Sequence, residues 1–172
     1  MMRHLNNRAE RGDTIQDKIC KAHELYAQWG EQLMADGVIS GLRQRLSRDL
    51  AASWRAMQEL QVVATCKECD ELEGGSCCGA GIENRYGVVL LLLNLLLGAS
   101  LPEARQTPGS CYFLGEAGCL LPVRQVICVN YLCTKVQNRL LTEELIHLQT
   151  VCGAELDTVF LLHEAVKRII TR

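Results

Sequence analysis

Eight of the ten cysteines lie between Cys66 and Cys133, in a stretch that also holds all three prolines and most of the glycines. Glycine and proline interrupt regular structure, so periodic apolar burial alone cannot hold such a segment, and the cysteines point to a cross-link. The opening twenty residues carry several charges and no apolar core of a secretory signal, which predicts a reducing, cytoplasmic setting. In that setting a dense cysteine pattern indicates metal or thiol chemistry ahead of a disulfide framework.

Written as spacing, the pattern is Cys66-x2-Cys69-x7-Cys77-Cys78, then Cys111-x7-Cys119-x8-Cys128-x4-Cys133. Two thiolates separated by two residues on a tight turn reach one ion, at about 2.3 Å for zinc, with nearby amides pointing at sulfur. Cys66-Lys67-Glu68-Cys69 fits that knuckle. Adjacent cysteines diverge in extended backbone, so Cys77 and Cys78 are poor partners for one ion and suit different metals. Gly75 and Gly79 beside them would expose amides to anionic sulfur. Eight bare thiolates would repel one another strongly, which favours a cation among them. Lys67, Arg85, Arg124 and Lys135 are near enough in sequence to offset the residual negative charge, although each alone reads equally well as a solvated surface charge.

Around this stretch the pattern is helical, and the 172 residues read as a single domain, mostly α, with a helical scaffold around an irregular Cys-rich metal-binding middle region. Asp13 and Thr14 cap a first helix with apolar residues from Ile15 to Leu33. Gly37, Ser40 and Gly41 interrupt it, and Ile39 to Leu60 continue as the second arm of a hairpin over 13–62. The cysteine-cluster region over 66–133 contains a buried apolar helix near 86–97, ended by Gly98 and Pro102. That helix rises roughly 15 Å against a hydrocarbon core of roughly 30 Å, so it is no transmembrane segment. The segment VRQVICVNYLC around Cys128 reads as briefly extended, and two helices separated at Gly153 fill 140–171.

Cys66-x2-Cys69, Cys77-Cys78-Gly79, Cys111-Tyr112-Phe113-Leu114, Cys119, Arg124-x3-Cys128 and Cys133 together resemble the bacterial cysteine-cluster proteins called YkgJ-like or CxxCxxxCC, described as zinc- or iron-chelating domains. The resemblance covers residues 66–133 and implies that all eight cysteines are metal ligands. Because the family is described as iron-sulfur-containing, it implies an iron-sulfur cluster, [4Fe-4S] by preference, with zinc as the alternative; four cysteine thiolates suit either. Three departures stand out. Seven residues separate Cys69 from Cys77 where the family has three, making Asp70–Ser76 an acidic, solvated insertion; Gln125 replaces the family's proline after Arg124; and the stretch from Cys119 to Arg124 is one residue short. Longer relatives resemble flagellin lysine-N-methylases, so a part in protein methylation is a further, weaker implication for a chain without their extra length.

Outside the cluster, Cys20 and Cys152 fall near apolar helix stripes and read as small core residues, and His147 and His163 read as ordinary helix residues. No nucleophile elbow, zinc-protease helix, P-loop or dinucleotide fingerprint is present, so no catalytic constellation is assigned. Lys plus Arg at 18 against Asp plus Glu at 20 gives no basic excess and disfavours nucleic acid. The competing reading is a zinc-stapled module that docks a protein partner through the N-terminal hairpin or an exposed leucine face at Leu90 to Leu93.

Overall fold

The computed structural model describes residues 12–72 and 77–171, and the side chains of all of these except 70–72. Residues 1–11 and, of the expected acidic insertion, residues 73–76 with Gly74 and Gly75 therefore lie outside the described residues, while 70–72 are helical.

Helix α1 spans Ile15–Ala35 and starts on a capping box: the Thr14 hydroxyl accepts the Asp17 N–H at 3.2 Å while the Asp17 carboxylate accepts the Thr14 N–H at 2.9 Å. Helix α2, Gly37–Glu59, follows after one extended residue, Asp36, whose carboxylate accepts the N–H groups of Val38 and Ile39. The expected interruption thus shrinks to Asp36, and Ser40 and Gly41 sit inside α2. An interior glycine costs about 1 kcal/mol, too little to break a helix that buries Ile39, Leu46 and Leu50 on one side.

Gln61, in the left-handed region at φ 58°, separates α2 from helix α3, Val62–Leu72. Cys66 and Cys69 are therefore helical rather than on a tight turn, because no glycine or proline occurs before Gly74 to end the segment. A 3-10 turn at Ile82–Arg85 leads into α4, Val88–Leu96. Gly98 closes α4 at φ 81°, with its N–H on the Leu95 carbonyl and the Ala99 N–H on the Asn94 carbonyl, a Schellman stop that needs a residue tolerant of positive φ. Strands β1, Leu114–Gly115, and β2, Gly118–Cys119, form an antiparallel hairpin pairing Leu114 with Cys119; a single bridge also joins Gly79 to Ser110.

A short helix α5, Val126–Asn130, which precedes helix α6, Thr134–Gln137, replaces the extended segment expected around Cys128 and is capped by the Gln125 side chain. Its Oε1 accepts the Ile127 N–H, which lets helix start within the β-branched run. Helix α7 runs unbroken over Thr142–Ile170, through Gly153, where the expected two helices become one. By length and composition α7 could cross a membrane, yet it packs along α2 and buries Leu148, Leu162 and Val166.

The fold is mostly α. Helix α4 packs on α1 and touches α7, while α1 and α2 meet only sparingly. Leu91, Leu92 and Leu93 are fully buried and Leu90 is half-buried, so three of the four leucines expected on a docking face lie in the core. One core joins α2, α4 and α7 through Leu46, Leu92 and Leu162. A second gathers Tyr86, Leu91 and Phe113 beside the hairpin, and a third lies under α3 and α5 around Met57, Val129 and Leu148.

Candidate metal centre

Three residues apart on α3, Cys66 and Cys69 share one helix face. Helix α6 is held against α3 by Arg139, which donates to Thr65 Oγ1 at 2.9 Å and meets Glu68 at 3.2 Å, and by Lys135, 3.7 Å from Glu68. That tether brings Cys133, at the N-cap of α6, to the Cys66 side of the molecule. Cys77 arrives from the far end of the undescribed segment and Cys128 from α5. A cavity of about 450 Å³ is lined by Cys66, Cys69, Cys77, Cys128 and Cys133, with Thr65, Ile82, Ile127, Tyr131 and Val136 completing the wall.

The remaining three cysteines adjoin this cavity. The Cys111 N–H donates to the Cys78 carbonyl at 2.5 Å, next to the Gly79–Ser110 bridge, so the two segments lie side by side. The hairpin sets Cys119 opposite Leu114, just after Cys111, and both Cys78 and Cys119 pack against the cluster that contains Tyr86, Cys111 and Phe113. A Cβ at Gly115 would lie 2.6 Å from Leu120 Cδ2, so a larger residue there would make the exposed Leu120 side chain shift.

Burial raises these thiols first, and neighbouring cysteines add to it. The Cys66 thiol is pushed up to about 11, by burial and then by Cys77, Cys133 and Cys69. The Cys128 thiol is pushed up to about 12, by burial and then by Cys119, Cys111 and Cys77. Cys111 rises to about 11 through burial, opposed by the Phe113 N–H, and Cys119 also rises, opposed by the Leu121 N–H, Arg124 and the Tyr86 hydroxyl. Cys78 is raised chiefly by its hydrogen bond with Cys77 and by burial. Each of those amide donors lies two residues beyond its cysteine, so backbone polarity already favours sulfur anions at Cys111 and Cys119.

Of the four cations expected to offset thiolate charge, Arg124 is buried and acts on Cys66, Cys119 and Cys128 at once, whereas Lys67 and Arg85 are exposed and Lys135 pairs with Glu68. Its guanidinium meets Glu155 at 3.3 Å and lies over the Trp54 ring at 4.2 Å. Glu155 is itself fully buried. Burial pushes its carboxyl above the usual range, opposed by Arg124 and by Ser53, and Glu155 Oε1 has no partner within hydrogen-bond geometry.

Sequence reasoning missed three supporting residues. Glu155 hides as one charged position on an apolar helix stripe, where a carboxylate needs a buried cation. Tyr86 accepts the Gln125 N–H through its hydroxyl at 3.2 Å. Asn94 is the lone polar residue in VVLLLLNLLL, and that oddity was the available signal. It is fully buried, donating through Nδ2 to the carbonyls of Leu90 and Val123 and accepting the Val123 N–H at 2.9 Å, so it fixes the segment that carries Arg124. Asn94→Leu is expected to cost about 2–4 kcal/mol by stranding both Val123 backbone groups. Urea unfolding at neutral pH measures this, and a loss below about 1 kcal/mol would show that the amide is dispensable.

Two cysteines outside the cluster behave differently from each other. Cys152 is buried, 3.5 Å from Ser53 Oγ, as expected, but Cys20 is exposed: it falls beside the apolar stripe of α1 rather than on it. His147 is exposed, and His163 lies 3.1 Å from Glu164. All ten cysteines are among the described residues and none is in a disulfide. Among the described residues no three Cys, His, Asp or Glu side chains are already disposed as ligands around one metal position. The chain matches no family model, and no curated protein or solved structure is significantly similar to it.

Proposed function

We propose that this protein binds a metal centre through cysteine thiolates, an iron-sulfur cluster of the [4Fe-4S] kind, in the region between α3, the hairpin and α5. The observation that carries the reading is the 450 Å³ cavity walled by five cysteines, with three more adjoining it. The donor set fits: four thiolates satisfy such a cluster, and among the described residues the cavity is lined by sulfur donors without carboxylates, which suits iron-sulfur or zinc over magnesium or calcium. Amides aimed at Cys111 and Cys119, and a buried guanidinium facing three of the cysteines, supply the charge complement an anionic centre needs. In the protonated state the thiols have no reason to converge, and a cation would draw them together.

The cavity rim carries Cys77, Ile127 and Tyr131, all exposed. Solvent access of that kind would let a redox partner or a small oxidant reach a centre there, which fits a redox or sensing role. Anaerobic purification with iron, zinc and sulfide analysis tests the reading. Brown protein with iron and acid-labile sulfide is expected; colourless protein with stoichiometric zinc would make the centre a staple. Cys66→Ser or Cys128→Ser should lose or loosen the centre and lower stability, whereas Cys152→Ser should keep its metal. Equal metal content in all three variants and the parent would sink the assignment.

A further inference from the structure

We propose that the eight clustered cysteines form two four-thiolate sites, Cys66, Cys69, Cys77 and Cys133 at the cavity, and Cys78, Cys111, Cys119 and Cys128 at the hairpin. The inference rests on the thiolate-centre reading and adds how many centres there are and which residues hold each.

The partition follows the way the chain is tethered. In the first set, Cys66 and Cys69 share a face of α3, Arg139 and Lys135 clamp α6 to that helix, and Cys133 begins α6. Cys77 joins them on the cavity wall. Cys66 and Cys133 also pack against one apolar core, the one around Met57 and Val129. In the second set, the bond between Cys111 and Cys78 and the hairpin register gather three cysteines against a different core, around Tyr86 and Phe113. Cys128, on α5, lies at the boundary: it lines the cavity, yet its N–H donates to the carbonyl of Gln125, whose own N–H donates to the Tyr86 hydroxyl in the core of the second set. Cys66 has the complementary neighbourhood, with Cys77, Cys133 and Cys69 all from the first set.

Cys77 and Cys78 are the seam. They are consecutive and hydrogen-bonded through their side chains, but Cys77 is exposed at the cavity while Cys78 packs on the Tyr86 core. Cys77 lines the cavity, while Cys78 is tied through its carbonyl to the Cys111 N–H, so the pair can complete one set each. Two adjacent anionic centres repel, and Arg124 is placed to reduce that cost, buried and acting on Cys66 of one set and on Cys119 and Cys128 of the other.

Co²⁺ reports the count whatever the native metal, because tetrahedral thiolate coordination gives intense charge-transfer and visible bands. Titrating Co²⁺ into the reduced, metal-free full chain under argon should give a break at about two equivalents. The variant Cys69→Ser/Cys133→Ser and the variant Cys119→Ser/Cys128→Ser should each break at about one. Cys119 replaces the buried Cys111 in the second variant to protect folding, and the parent titration stands even if a variant fails to fold. A parent break at one equivalent, or one variant losing all binding while the other keeps it, overturns the two-site inference and leaves a single thiolate centre. Absence of Co²⁺ binding, with no metal in the anaerobically purified chain, overturns the metal-binding reading itself.

Discussion

Arg124→Met is expected to destabilise the metal-free protein by about 3–5 kcal/mol, the usual effect of removing one partner from a buried ion pair. Glu155 is fully buried and 3.3 Å from the guanidinium, and one of its oxygens already lacks a hydrogen-bond partner. Without Arg124 it would have to remain charged in an apolar setting or take up a proton. The guanidinium over Trp54 at 4.2 Å would be lost too, worth up to about 2 kcal/mol when desolvated. The companion variant Arg124→Met/Glu155→Leu should recover most of the loss, because an apolar pair of similar volume avoids stranding a charge. Urea unfolding of the four members of this cycle gives the coupling directly. A single-variant loss under about 1 kcal/mol would mean that solvent reaches Glu155 and that the pair is not structural. Restored stability in the double variant, with the centre still lost, would separate the role of Arg124 toward the thiols from its role in the core.

Much of the scaffold was legible because its causes are local. Thr14 and Asp17 form a reciprocal cap recognisable by spacing, and Gly98 follows an apolar run that must stop. The misjudged breaks were all at glycines or β-branched residues. Gly41 and Gly153 sit inside helices because α2 and α7 pack along each other, and that packing outweighs an intrinsic preference of about 1 kcal/mol per residue. Packing against α7 likewise accompanies one short helix, α5, within VRQVICVNYLC. Sequence gave no sign that α1 would pack on α4, since a one-residue connection at Asp36 is compatible with several crossing geometries.

The site was legible as a list of residue types and opaque as geometry. Spacing singled out eight cysteines, five of which line one cavity, but it read Cys77 and Cys78 as diverging on extended backbone, whereas they lie in a turn and are hydrogen-bonded to each other. It placed Cys66 and Cys69 on a turn, whereas they lie on a helix, because the glycines that end the segment come only after Leu72. Arg124 stood out only as one of four nearby cations. Its burial depends on Glu155, some thirty residues later, and on Trp54, some seventy earlier, and pairings at such separations leave no local trace.

Metal affinity is expected to rise steeply with pH, by up to about 10⁴-fold per pH unit for a four-thiolate site near neutrality. Cys66 and Cys111 are pushed up to about 11 and Cys128 to about 12, so at neutral pH each holds its proton in the metal-free protein. A divalent ion must displace about four protons to bind four thiolates, and each released proton adds one power of ten per unit. The metal-free fold should show the opposite sign. A thiol whose ordinary value is 9.0 and whose folded value is higher contributes stability that is complete below about pH 9, and this is lost as pH rises through about 11 to 12. Alkali thus favours the loaded protein while weakening the empty one. Proton release on Co²⁺ addition in weakly buffered solution, with melting of the metal-free chain at neutral and alkaline pH, measures both slopes. Affinity that is flat between about pH 6.5 and 8 would mean that the thiols are already ionised without metal and that burial does not hold their protons.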